Sequence, residues 1–145
     1  MKSHKLLPFF VTLIIFTFTL QAVAQEQITD WEAFSVNLEK ALKSGHPGLQ
    51  QSAMQRVIQY GDKLILDDGI YHMGRIFCFG TDAQERRLAL VALAKVNTMR
   101  SMGYIYKGMV TEDNDAVKKQ CCCILNDYCM ANAGITEEDF KLALD

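Results

Sequence analysis

Proline is almost missing from this chain: Pro8 and Pro47 are the only two in 145 residues. Its ring removes a backbone donor and breaks helices, so the scarcity excludes proline-rich linkers and leaves room for long helices. A basic excess is missing too. Lysine and arginine number 15 against 17 acidic residues, which argues against a nucleic-acid binder, since such proteins neutralise phosphates with surplus cations. No glycine-rich phosphate loop, no serine or cysteine in a nucleophile motif and no C-x-x-C pair occurs. Phosphate cradling, covalent catalysis and tetrahedral zinc therefore have no visible seat. The sequence points to no catalytic residue, no metal ligands and no cofactor.

What is present begins with a leader. Lys2 and Lys5 precede Leu6–Leu20, an apolar run broken only by Pro8 and three threonines, and Ala22-Val23-Ala24 supplies small residues at an A-x-A exit. Charged start, apolar run and small-residue exit form the signal-peptide pattern, and the run is short for a membrane anchor, the competing reading. Gln25 stands where a lipoprotein would carry cysteine. Residues 1–24 are therefore expected to be a cleaved signal peptide. Residues 25–145 are expected to be one domain, periplasmic or secreted, with no stable membrane insertion after cleavage. Removing 24 of 145 residues leaves 121, and losing Lys2 and Lys5 takes the basic count to 13 against 17 acids. The net charge falls from −2 to −4.

The rest is written as helices. Thr29 and Glu32 have capping-box spacing, and Trp31, Phe34, Leu38, Ala41 and Leu42 recur at three- and four-residue intervals before Ser44-Gly45. A second helix is predicted from Pro47 to Tyr60, with Leu49, Ala53, Val57 and Ile58 inward. After a looser stretch, 62–69, a third carries Ile70, Met73, Ile76 and Phe77 and ends at Gly80. Ala83–Val96, Thr98–Met109, Asp115–Ala131 and a short Glu137–Leu144 complete the set.

Three of these helices repeat. Leu49-Gln50-Gln51-Ser52-Ala53 with Val57 aligns with Glu85-Arg86-Arg87-Leu88-Ala89 with Leu93. Both align with Val117-Lys118-Lys119-Gln120-Cys121 with Leu125. Met73-Gly74 with Ile76-Phe77 likewise matches Met102-Gly103 with Ile105-Tyr106. The small residues Ala53, Ala89 and Cys121 suit a close helix crossing. Gly74 and Gly103, each costing about 1 kcal/mol against alanine, suit a close approach of two backbones. A period in the thirties with two helices per period marks stacked helical hairpins.

In Val117-Lys118-Lys119-Gln120-Cys121, its two copies and the acidic turn Asp113-Asn114-Asp115, the chain resembles the HEAT-like helical repeat family, as a small exported bacterial member. The resemblance covers Phe34 to Tyr128. It departs from the family pattern at Glu85, where an aliphatic is usual, and in a first copy without basic residues. The resemblance implies an all-α fold: a short α-solenoid of about three antiparallel helix pairs plus a short C-terminal helix. It implies a binding scaffold and no catalysis.

Five cysteines, Cys78, Cys121, Cys122, Cys123 and Cys129, follow the leader. Consecutive helical thiols diverge by about 100°, so the triplet cannot chelate one metal. Cys121 and Cys122 occupy the places of Ala53/Met54 and Ala89/Leu90, which reads as core. A disulfide through Cys78 or Cys129 is the second reading, from an oxidising compartment. A redox or metal role for the Cys121–Cys129 helix is the third. Arg86, Arg87, Lys118 and Lys119 would form a basic ladder, open to an acidic partner or, as favoured here, neutralised by Asp82, Glu85, Asp113 and Asp115. His46 would cap the second helix, His72 would sit beside the core-facing Met73, and Asp67-Asp68 would be solvated. The expected function is an exported, non-enzymatic scaffold of the bacterial envelope or exterior that binds another protein, or a second copy of itself. Its candidate contacts are Gln51, Gln55, Arg87 and Lys119, with Trp31 or Tyr104 as aromatic anchor.

Overall fold

The computed structural model describes residues 30–144. The expected signal peptide, 1–24, and the expected start at Gln25 lie outside the described residues. Within them the chain forms seven α-helices and one 3-10 turn, with no strand. We label the helices α1 (Trp31–Lys43), α2 (Pro47–Tyr60), α3 (Asp68–Phe79), α4 (Ala83–Val96), α5 (Met99–Thr111), α6 (Asp115–Ala131) and α7 (Glu137–Leu142); the 3-10 turn is Gly61–Lys63. No helix among the described residues is long and apolar enough to cross a membrane.

Short polar side chains fix most helix starts by accepting from amides that have no intrahelical partner. Asp30 accepts from the Ala33 amide at 2.9 Å, so α1 starts on Asp30; Thr29, of the expected Thr29–Glu32 box, lies outside the described residues. Asp82 accepts from the Glu85 amide at 2.8 Å, and Asn114 accepts from the Ala116 and Val117 amides. Thr98 with Ser101 and Thr136 with Asp139 form reciprocal capping boxes. His46 precedes α2 but makes no side-chain capping bond; Pro47 removes one of the orphan donors instead. Asn97, at φ 56°, and Gly45, at φ 70°, take left-handed backbone where α4 and α1 end.

Contacts run between alternate helices and within pairs of chain neighbours. α1, α3, α5 and α7 contact one another in that order, and so do α2, α4 and α6. Helices α1 with α2, α3 with α4 and α5 with α6 pack as neighbours along the chain. The core between them contains Leu42, Met54, Val57, Met73, Phe77, Leu90, Leu93, Met102 and Ile105.

The repeated small positions are buried in all three copies: Ala53, Ala89 and Cys121, each with its aliphatic Val57, Leu93 or Leu125. Two expectations change. Leu49 is 51% exposed, and the inward stripe of α2 is Gln50, Ala53, Met54 and Val57. Gln50 takes the inward place because its Nε2 donates to the Leu42 carbonyl at 2.8 Å, satisfying the exposed end of α1. Cys122 is exposed, whereas Met54 and Leu90 at the equivalent places are fully buried. Helices α2 and α4 each have a following even-numbered helix against them, and α6 has none among the described residues.

The glycine positions also sort differently than expected. At Gly103 a backbone does come close, for a Cβ there would stand 2.8 Å from the Phe140 carbonyl oxygen. At Gly74 the space is filled by the Tyr104 ring, whose Cδ1 and Cγ would lie 2.3 Å from such a Cβ. Gly108 performs the same service for Phe77.

Candidate functional site

Gln51, Arg87 and Lys119 occupy equivalent positions of α2, α4 and α6, and all three are exposed. These three helices contact one another in series, α2 with α4 and α4 with α6. The structure thus gathers these residues, with Gln55 one turn along α2, on the outward side of a contiguous helix row. Val91 and Cys123 continue the Gln55 position on α4 and α6, and both are exposed.

The two aromatic candidates lie elsewhere. Trp31 is half-buried at the start of α1, against Phe34 and Tyr60 at centroid distances of 6.1 and 5.4 Å, with the Lys63 ammonium 5.0 Å over its ring. It is at the opposite end of the helix series from Lys119. Tyr104 is buried, flat against Gly74, and presents no ring to a partner. Its place was unreadable from spacing alone, because the glycine that accommodates it is 30 residues away in sequence.

The basic ladder is only partly neutralised, and not by the acids expected. Arg86 pairs with Glu112, the residue that follows α5. Asp82 is occupied as the α4 cap, and Asp113 and Asp115 make no ion pair with a ladder cation. Arg87, Lys118 and Lys119 have no ion pair among the described residues. Burial pushes the Glu112 carboxyl upward, but the Asn114 amide, at 3.0 Å, and the Arg86 guanidinium outweigh it and hold it below the ordinary glutamate value. Arg86 retains 31% of its side-chain surface in solvent, and its Nε and the neighbouring Glu85 Oε1 are buried without a partner. A cleft of ≈ 280 Å³ opens here between the starts of α4 and α6, lined by Arg86, Arg87, Glu112, Asp113, Asn114 and Val117 among others. A broader hollow of ≈ 420 Å³ runs along the exposed side of α1, past Asp30, Glu32, Val36 and Lys40. All its lining residues belong to one helix and its cap, so it gathers no groups from different elements.

All five cysteines are free thiols, which corrects the disulfide reading. Cys78 is half-buried on α3 and its Sγ donates to the Tyr104 carbonyl at 3.7 Å; burial pushes its pKa up. Cys121 is core, and burial, with a smaller push from Cys122, raises it to about 12. A thiol held there is a poor nucleophile at neutral pH. Cys122 and Cys123 are exposed, with the Cys122 Sγ 3.4 Å from the Met109 Sδ. Among the described residues no group of three or more His, Cys, Asp or Glu side chains is placed to hold a metal ion. His72 is half-buried edge-on to Tyr71, and Asp67 and Asp68 are exposed.

No family model, curated protein or solved structure matches the chain. The HEAT-like resemblance is therefore carried by the repeated residues alone.

Proposed function

We propose that this chain is an exported, non-enzymatic helical-repeat module that holds another protein on the outward row of α2, α4 and α6. The observation that carries the reading is the common register of those helices. Small and aliphatic residues are buried at matching places, while Gln51, Arg87 and Lys119 stand exposed at matching places. Repetition of an inward pattern is what stacking requires, and it leaves a regular outward surface as the by-product on which such arrays bind. The contacts within α1/α2, α3/α4 and α5/α6 and between alternate helices support a finer description, a short solenoid of antiparallel pairs α1/α2, α3/α4 and α5/α6 closed by α7. The leader supports export, to the periplasm or the exterior.

The test is crosslinked recovery of partners from the native envelope with the tagged protein, beside an Arg87→Glu/Lys119→Glu variant. The parent should capture one or a few proteins, and the variant should lose them while its circular dichroism is unchanged. Equal recovery by both forms, or none by either, would sink the proposal. The thiol reading narrows to Cys122 and Cys123, the two exposed members of the helix.

A further inference from the structure

A different face of the molecule carries charge of one sign. Helix α3 holds a single acid, Asp68 in its first turn, and α5 holds none. Along α3, Tyr71, Arg75 and Phe79 recur at four-residue intervals and are exposed, so they form one stripe. Helix α5 packs beside it: the Tyr104 ring lies on Gly74, and the Lys107 ammonium is 5.8 Å from the Phe79 ring centroid. Arg100 and Lys107 flank Tyr104 by four and three residues, hence on its side of α5, and both are exposed; Val110 follows one turn on. The ion-paired cations among the described residues are Arg86, Lys95 and Lys141, so Arg75, Arg100 and Lys107 have no carboxylate partner. Arg100 donates to the Asp67 carbonyl at 3.4 Å, and Asp67 and Asp68 bound the patch at the α3 start.

Cations alone would suit any polyanion. Here they stand beside Phe79 and Val110, which are 66% and 62% exposed. A free polyanion has no use for such groups, whereas the boundary between lipid headgroups and acyl chains accepts both kinds. Nor do the cations converge. Arg100 and Lys107 are about 10 Å apart along the α5 axis, which suits separate headgroups better than one bound phosphate. We propose that the α3–α5 face docks peripherally on an anionic phospholipid surface, with Arg75, Arg100 and Lys107 on headgroups and Phe79 and Val110 at the interface.

The test is co-sedimentation with vesicles of phosphatidylglycerol and phosphatidylcholine in equal parts, with phosphatidylcholine alone as baseline. The baseline also registers any contribution from an uncleaved leader. The protein should bind the anionic vesicles above baseline and lose that binding as salt rises. Each cation near such a surface contributes roughly fivefold, so Arg75→Ala/Arg100→Ala/Lys107→Ala should lower partitioning about a hundredfold. Phe79→Ser should weaken binding while leaving its salt dependence. Lys40→Ala/Lys43→Ala/Arg56→Ala removes the same charge from α1 and α2 and should bind as the parent does. Binding at baseline only, or an equal loss in the two triple variants, would overturn the proposal. So would capture of a polyglutamate peptide with no vesicle binding, which would give the face to an acidic protein instead.

Discussion

Replacing Gly108 by alanine should destabilise the protein, although alanine is the better helix former. In an open helix interior the exchange gains about 1 kcal/mol. At Gly108 the added Cβ would stand 2.2 Å from Phe77 Cε1, with Cδ1 at 2.7 Å and Cζ at 2.9 Å. Carbon pairs rest at about 3.5 Å or more, so the ring must retreat by about 1.3 Å. Phe77 is in the core, between α3 and α5, and has no free volume to retreat into. Overpacking of this kind costs about 1–3 kcal/mol, and contact with three ring atoms places it in the upper half of that range. The net effect is a loss of about 1–2 kcal/mol, or several degrees in Tm for a domain of this length.

Two comparisons make the sign informative. Gly48→Ala, in the first turn of α2, meets nothing nearer than His46 Nδ1 at 3.7 Å, an ordinary contact. That variant should be neutral or gain up to about 1 kcal/mol. Phe77→Leu should cost about 1 kcal/mol or more in the parent by loosening the core, and less in the Gly108→Ala background, where it relieves the clash. Urea unfolding followed by far-ultraviolet circular dichroism measures all five proteins, and the coupling follows from the cycle of parent, two single variants and double variant. A Gly108→Ala variant at least as stable as the parent, or costs that simply add, would refute the packing argument.

Acid should weaken the protein through Glu112. Its folded pKa lies below the ordinary value of 4.5, so its stabilisation is full above that pH and is lost as pH falls through the folded value. Glu112→Gln should flatten the acid limb of a stability–pH curve measured by denaturant titration and cost about 1–2 kcal/mol at neutral pH. That cost is discounted toward the exposed-pair range because Arg86 is partly in solvent; an unchanged acid limb would count against the pairing. Thiol labelling should report Cys122 and Cys123 as native-reactive, with Cys121 modified only on unfolding, because burial holds it at about 12. Mass mapping after brief alkylation checks this, and native labelling of Cys121 would show that α6 is not packed as described.

The helix ends were the most legible part of the sequence, since each rests on a local signal. Ala83–Val96 and Asp115–Ala131 run as read because Asp82 and Asn114 sit immediately before them and bond to their first amides. The buried repeat was legible for a related reason: Ala53, Ala89 and Cys121 recur where the fold demands small residues. What escaped reading depends on partners far along the chain. Hydropathy favours Leu49 over Gln50 for the core, but the Leu42 carbonyl selects Gln50. Nothing near Glu112 in sequence indicates Arg86, 26 residues away, and nothing near Cys122 indicates that it is exposed where Met54 and Leu90 are buried. Among the candidate contacts, the polar positions were readable from the wheel of one helix. Tyr104 was not, because its burial is decided by Gly74 on another.

Charge illustrates the same limit on a larger scale. Counted over the chain, acids outnumber bases by two, and that balance argues against phosphate-bearing partners. The count averages over surfaces that the fold separates. Acids gather at helix starts, where they satisfy amides: Asp30, Asp82 and Asp139 are each bonded to a backbone N–H in the first turn or its cap. A carboxylate engaged in this way contributes to net charge but is placed at an end of a helix, away from the faces between. The long sides of α3 and α5 are left with Arg75, Arg100 and Lys107 and no acid beyond the first turn. An acidic chain can thus present a cationic face because capping chemistry dictates where its acids go. For this molecule the row on α2, α4 and α6 and the face on α3 and α5 share no residue, so loss of partner capture and loss of vesicle binding should be separable by mutation.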